Sequence, residues 1–160
     1  MDLGELQSLG LVETLDVELS RSLCRMGRTE EPLVLLGAAL VSRNVRRGHT
    51  CFTLGTSASE LWPQSARAPQ ALPDSATWSA MLEESSLTRE GPLVLDTRSR
   101  LYLRRYWALE QDIAKSLRER EAHAGRPAAD ASWLEATLGR LFPEGESPQR
   151  RAAENALAHR

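Results

Sequence analysis

Hydrophobic residues along the chain recur mainly at the spacing of amphipathic helices. Near the N-terminus, four of them lie at i, i+4, i+8 and i+11: Leu15, Leu19, Leu23 and Met26. This spacing predicts a helix with one apolar face, and Gly27 is expected to end it. The run from residue 33 to residue 41 is apolar on every side, so a helix there must lie centrally in the core.

Several polar residues precede these periodic segments in the positions of helix caps. We expect Thr29 to cap the central apolar helix, and Asp74 or Ser75 to begin a later one. Residues 124–129 are predicted to form a linker, after which Asp130 caps a further helix. A last helix begins at Ser147-Pro148, because serine favours the N-cap and proline the first helical turn.

Strand-like patterning is confined to two short regions. Residues 93–105 contain two apolar runs separated by a polar turn, which predicts a β-hairpin, and residues 49–54 are typical of a short strand. From Tyr106 onward the apolar spacing becomes helical. The fold class is therefore predicted as mainly α (α+β), with about six to seven helices and one small hairpin.

The second hairpin strand alternates arginine or tyrosine with leucine. If it stays extended, Leu101 and Leu103 face the core, and the opposite face carries Arg100, Tyr102, Arg104 and Tyr106. Arginines and aromatic rings together could stack bases and contact phosphates, and they are also common at protein interfaces. A plain solvated edge is the third interpretation. Trp62, on a proline-rich loop, is the best candidate for an exposed aromatic anchor.

Composition limits the classes of partner. The net charge of the 160 residues is −2, and Lys115 is the only lysine, so the whole chain exerts no strong attraction on nucleic acid. Among functional interpretations this favours protein over DNA as a partner. There is no apolar run long enough for a membrane span and no signal peptide, so a cytoplasmic protein with reduced Cys24 and Cys51 is expected.

Candidate chemistry is sparse. The three histidines and two cysteines do not form the closely spaced pairs typical of zinc sites, so we predict no metal site. Cys51 could be a nucleophile with His49 on the same side of a strand, but a small core residue is the usual role of cysteine. No G-x-x-x-x-G-K-[ST] motif for a nucleotide triphosphate is present. We therefore predict no catalytic residues and no enzyme activity for this chain alone.

Four segments, in the same order, carry a resemblance to a known family: GHTCFTL at residues 48–54, LYLRRYWALEQDIA at residues 101–114, LFP at residues 141–143, and PQRRAAENALAHR at residues 148–160. They resemble RecD, the α subunit of the RecBCD helicase–nuclease (exodeoxyribonuclease V). The resemblance implies a RecD-like N-terminal domain over residues 1–145, and over residues 146–160 the start of a first motor domain whose Walker A loop would follow.

In that family the N-terminal domain docks the subunit onto RecC, so the resemblance implies RecC and the RecB–RecC complex as partners, and DNA only through the full complex. ATP and magnesium would serve the full-length helicase, with no cofactor in this piece. Gln149 matches a glutamine that contacts adenine in related helicases, a role it could have only in the full subunit. The alternatives are a single-stranded DNA-binding domain that uses the Arg/Tyr face, or an internal brace in a relative that works alone.

Overall fold

The computed structural model describes residues 2–63, 69, 71–122, 131–143, 145 and 147–158. Within these residues lie nine helices: α1 Leu3–Ser8, α2 Thr14–Gly27, α3 Pro32–Arg46, α4 Ala58–Leu61, α5 Ser75–Glu84, α6 Ser86–Arg89, α7 Arg104–Ala122, α8 Ala131–Leu141 and α9 Pro148–Ala158. The strands are β1 Cys51–Thr53, β2 Leu93–Leu95 and β3 Arg100–Leu103. The mainly α class with a small sheet is confirmed. The predicted helix number was too low, because α1 and α6 are too short to give a periodic signal.

Two compact units divide the chain, Met1–Leu109 and Glu110–Arg160. The first contains α1 to α6 and the sheet, and the second contains most of α7 together with α8 and α9. The domain boundary expected between residues 145 and 146 falls inside the second unit. That boundary remains a prediction.

Helix α3 lies at the centre of the first unit, as its uniform apolar character predicts. Its residues from Leu36 to Arg43 are all buried. Gly37 allows the sheet to approach closely, since a Cβ at this position would lie 3.1 Å from the Cδ2 of Leu101. Trp78 of α5 packs on the same helix and donates its indole N–H to the carbonyl of Leu33 at 2.8 Å. A central helix with small residues therefore organises the core.

Helix α2 has the predicted bounds but a different buried face. Leu15 and Met26 are 60% and 72% exposed, whereas the buried residues are Asp16, Val17, Ser20, Leu23 and Cys24. The buried carboxylate of Asp16 accepts a hydrogen bond from Ser42 on α3, which turns the helix by about one position from the leucine stripe. Periodicity of apolar residues could not show this, because a polar contact sets the rotation.

The sheet has the order β1-β3-β2, with both pairs antiparallel. Leu93 is paired with Leu103 across the hairpin, and Phe52 is paired with Leu101 on the other side of β3. The predicted hairpin and the predicted strand within residues 49–54 are both confirmed. The hairpin ends earlier than expected, however, because α7 begins at Arg104.

Three of the predicted helix starts can be compared with the structure. Asp74 caps α5 by accepting from the amide of Thr77 at 2.9 Å, and Ser147 caps α9 by accepting from the amide of Arg150 at 3.1 Å. The cap predicted at Thr29 was wrong, because the N-cap of α3 is Glu31 and proline occupies the first turn. Asp130 and the linker at residues 124–129 lie outside the described residues.

Candidate functional site

The Arg/Tyr face predicted on the hairpin does not form as one exposed surface. Tyr102 is only 1% exposed, although the alternation placed it on the solvent side. Because β3 is the central strand and is followed at once by a helix, both Leu101 and Tyr102 become buried. The expectation that the Tyr102 ring is available to a base or a partner is therefore wrong.

Arg100 is held by the turn of its own hairpin. Its Nε donates to Oδ2 of Asp96 at 2.8 Å, and its guanidinium carbon lies 5.5 Å from the centre of the Tyr102 ring. Burial raises the pKa of Asp96. Hydrogen bonds from Arg100 and from the Arg98 amide, together with the charge of Arg100, outweigh this effect and hold the pKa below its usual value. The guanidinium of Arg100 is therefore held at the hairpin turn by Asp96, through its Nε and its Nη2.

Arg104 and Tyr106 lie on α7 rather than on an extended strand. The Nε of Arg104 donates to the carbonyl of Gly91 at 2.5 Å, and its Nη2 donates to the carbonyl of Leu93 at 3.3 Å. Tyr106 is half-buried. The four residues therefore do not form an exposed face in which a free guanidinium lies beside an accessible ring. Whether any of them contacts a partner remains a prediction.

The cysteines and histidines that could have carried chemistry do not come together in the part of the chain that the structure describes. Cys51 is half-buried in β1, His49 is exposed, and no hydrogen bond joins them. Cys24 is buried, and burial raises the pKa of its thiol, which makes a reactive thiolate unfavourable. Over the same residues, no three histidine, cysteine or carboxylate side chains come close enough to hold a metal ion.

A buried ion pair joins α2 to α3. The carboxylate of Asp16, fully buried, accepts from the Oγ of Ser42 at 2.8 Å and from the Nη2 of Arg46 at 2.9 Å. Arg46 also contacts Glu13 at 2.7 Å, at the edge of the first unit. Because each charge has a partner of opposite sign, this cluster fixes the packing of the two helices.

Next to this cluster an open pocket of about 540 Å³ lies at the C-terminal end of α3. Its polar wall consists of Arg43, Arg46, Arg47 and Glu13, and its apolar wall includes Leu9, Leu11, Leu61, Trp62 and Pro63. The expectation that Trp62 is an exposed anchor was wrong, since it is 5% exposed and forms part of this wall. Sequence reasoning missed the pocket because its walls come from three separate segments. The one available signal was the cluster of arginines at residues 43, 46 and 47.

The second unit leaves large apolar side chains uncovered. None of the residues of α7 is buried, and Ile113 and Leu117, one turn apart, are 61% and 58% exposed. On α8, Trp133 and Leu141 are exposed to a similar degree. Among the described residues, no helix has the length and apolar character required to cross a bilayer. Apolar side chains at helical spacing are typical of surfaces that bind another protein.

Comparison with known proteins gives a match over most of the first unit. A family model described as "RecBCD enzyme subunit RecD, N-terminal domain" matches residues 8–102. The chain belongs to this family. A protein named RecBCD enzyme subunit RecD from Mycobacterium tuberculosis (strain H37Rv) is 32% identical over 151 residues, which cover 93% of this chain and 24% of that protein. Its counterpart in Mycolicibacterium smegmatis is 31% identical over 155 residues, with 92% and 25% covered.

The chain therefore spans about a quarter of the length of the curated relatives it matches. Gln149, the glutamine expected to contact adenine, lies exposed on the first turn of α9, outside the residues that the family model matches. The given residues contain no G-x-x-x-x-G-K-[ST] motif that could hold a nucleotide triphosphate beside it. The role of Gln149 in a full-length subunit stays a prediction.

Proposed function

We propose that this chain acts as a protein-interaction domain that docks the RecD subunit onto RecC within the RecB–RecC complex in the cytoplasm. In this proposal the domain itself performs no catalysis. The ATP- and magnesium-dependent helicase activity, and contact with DNA during double-strand break repair and recombination, belong to the full subunit and the full complex.

The exposed apolar residues of α7 carry this proposal. Ile113 and Leu117 leave more than half of their side-chain surface in water, next to each other on one helical face. Burying apolar surface contributes about 25 cal/mol per Å², so a partner that covers such a face gains affinity. The names of the relatives support the same conclusion, because they describe RecD as one subunit of an enzyme with several.

The single-stranded DNA alternative has less support. Base stacking requires an accessible aromatic ring, and Tyr102 is buried while Arg100 and Arg104 are bonded within the hairpin. The net charge of −2 also provides no general attraction to phosphates.

The proposal is tested by measuring binding of the purified chain to a cognate RecB–RecC complex by titration calorimetry. We expect saturable binding by the wild type. The double variant Ile113→Asp/Leu117→Asp should bind about tenfold more weakly or worse, because it places two charges in the apolar contact.

A matched control is available on the same helix. Gln111→Asp/Ala122→Asp adds the same charge, at two exposed positions on the opposite side of α7. It should bind as the wild type does, and circular dichroism should show equal helix content in both variants. Absence of binding by the wild type would refute docking, and equal weakening in both variants would show that α7 does not present the contact face.

A further inference from the structure

The pocket at the end of α3 has more hydrogen-bond donors and positive charge than its own residues satisfy. Three guanidinium groups line it, from Arg43, Arg46 and Arg47. Two carboxylates oppose them, Glu13 and Asp16, and both are bonded to Arg46. The three positive and two negative charges leave a surplus of one positive charge, which is shared between Arg43 and Arg47 because both carboxylates are bonded to Arg46.

Arg43 is the unusual member of this set, because it is 5% exposed and yet has no carboxylate bonded to it. Its Nε donates to the carbonyl of Leu11 at 2.8 Å and its Nη2 to the carbonyl of Leu61 at 2.9 Å. Its Nη1 has no acceptor among the described residues. Burial, reinforced by repulsion from Arg47, lowers the pKa of Arg43 below its usual value, although a guanidinium remains charged in a protein.

Trp62 adds an unpartnered indole to the same wall. Its indole Nε1 is buried, and within the described residues it is the buried side-chain nitrogen or oxygen that has no hydrogen-bond partner. A buried donor without an acceptor costs about 1–3 kcal/mol, so such groups are uncommon in folded proteins. The guanidinium of Arg43 therefore keeps donor capacity that the described residues do not use, in a pocket whose wall also contains the unpartnered indole of Trp62.

A ligand group that complements this pocket must accept hydrogen bonds and carry one negative charge. An ionised carboxylate meets both conditions, since it has two acceptor oxygens and no donor. A phosphate dianion would exceed the single surplus charge and would meet Glu13 at the rim. The apolar wall formed by Leu9, Leu61 and Pro63 fits the side-chain stem and neighbours of an acidic residue better than it fits a free ion.

We propose that this pocket receives an aspartate or glutamate side chain from the protein partner onto which the domain docks. The inference rests on the proposed docking function and adds the chemistry of one contact. Arg43 is the fixed donor, held by two carbonyls, and Arg47 is the solvent-facing charge that attracts the acidic residue.

The chemistry can be tested without the partner. The probe is a blocked tripeptide, acetyl-Leu-Glu-Leu-amide, and its twin has glutamine in place of glutamate. Binding is followed by the indole N–H signal of Trp62 in nitrogen-15 spectra, assigned with Trp62→Phe. We expect saturable shifts with the glutamate peptide and about tenfold weaker binding of both the glutamine twin and inorganic phosphate.

The partner contact is then tested with Arg47→Glu and, in case the reversal perturbs folding, Arg47→Gln. Arg98→Glu is the matched control, since Arg98 is exposed in the turn between β2 and β3. Both Arg47 variants should weaken the glutamate shift and reduce affinity for the RecB–RecC complex, by about tenfold for the reversal. The control should bind as the wild type does.

The two proposals fail in different ways. If the glutamine twin or phosphate binds as well as the glutamate peptide, or if Arg47→Glu docks as tightly as Arg98→Glu, the acidic contact is overturned and docking stands. If the wild type does not bind the RecB–RecC complex at all, docking is overturned, and with it the partner assigned to the pocket.

Discussion

Asp16 is the residue on which the packing of α2 against α3 depends most. Its carboxylate is fully buried and accepts hydrogen bonds from Ser42, Arg46 and the amide of Glu13. Asp16→Asn should lower the free energy of unfolding by about 3 kcal/mol, the lower end for a broken buried pair, because Arg46 can still reach water. Urea denaturation measures this. Glu18→Gln, which disrupts an exposed pair with Arg21, should change it by less than about 1 kcal/mol.

The same carboxylate predicts how stability depends on pH. Burial raises the pKa of Asp16, but the hydrogen bonds from Arg46, the Glu13 amide and Ser42 outweigh it, so the pKa lies below its usual value. A lowered folded-state pKa stabilises the protein above the unfolded pKa of about 3.9, and this stability is lost as the pH falls through the folded pKa. The difference in unfolding free energy between wild type and Asp16→Asn should therefore stay constant from about pH 7 to 5 and shrink below about pH 4. A difference that is unchanged at the lowest pH would contradict this assignment.

At the scale of single residues, the sequence indicated chemistry better than it indicated exposure. The arginines and tyrosines were assigned to one face of an extended strand, but strand alternation could not show that a helix begins at Arg104 and that Tyr102 is buried. Likewise Trp62 was assigned to the surface from its proline-rich neighbours. It is buried, and it lines one pocket with the end of α3, which lies almost twenty residues earlier in the chain.

At the scale of elements, two glycines differ in what surrounds them. A Cβ on Gly91, between α6 and β2, would lie 2.6 Å from the backbone of Leu87, which cannot move aside as a side chain can. At Gly139, inside α8, no described atom apart from the chain neighbours and the backbone of the same helix lies within 4 Å of the corresponding position. Gly91→Ala should therefore lower the unfolding free energy by about 1–3 kcal/mol, whereas Gly139→Ala should raise it by about 0.5–1 kcal/mol. Thermal melts of the two variants should shift in opposite directions, and a stabilised Gly91→Ala would show that the close approach to Leu87 is not real.

The elements themselves were largely predictable, because their signals are local. Caps at Asp74 and Ser147, the breaker at Gly27 and the apolar run of α3 all act within a few residues. The rotation of α2 was not predictable, since it follows from the contact between Asp16 and Ser42, twenty-six residues apart. Short α1 and α6 were missed because six and four residues contain too few positions for a period to appear.

At the scale of the whole molecule, charge and burial together favour the proposed protein partner over a nucleic acid. The net charge is −2, and several of the arginines that a sequence reader would assign to DNA are bonded internally. Apolar surface, by contrast, is left exposed on α7 and α8. The negative net charge therefore disfavours binding to a polyanion, whereas the exposed apolar surface favours binding to a protein.

A DNA titration tests this balance directly. Fluorescent oligothymidylate should show no saturable binding to the isolated chain at physiological salt, under conditions in which the chain binds the RecB–RecC complex. Each phosphate contact with a single strand contributes about 0.7 to the logarithmic slope. Any binding at low salt should therefore weaken only shallowly as salt increases, because the 22 acidic residues outnumber the 20 basic ones and oppose phosphate contacts. Arg98→Ala/Arg105→Ala, which removes two exposed arginines of the hairpin region, should leave docking unchanged. Micromolar DNA binding with a steep slope, abolished in this variant, would instead favour the nucleic-acid interpretation, since only exposed arginines could then supply the phosphate contacts.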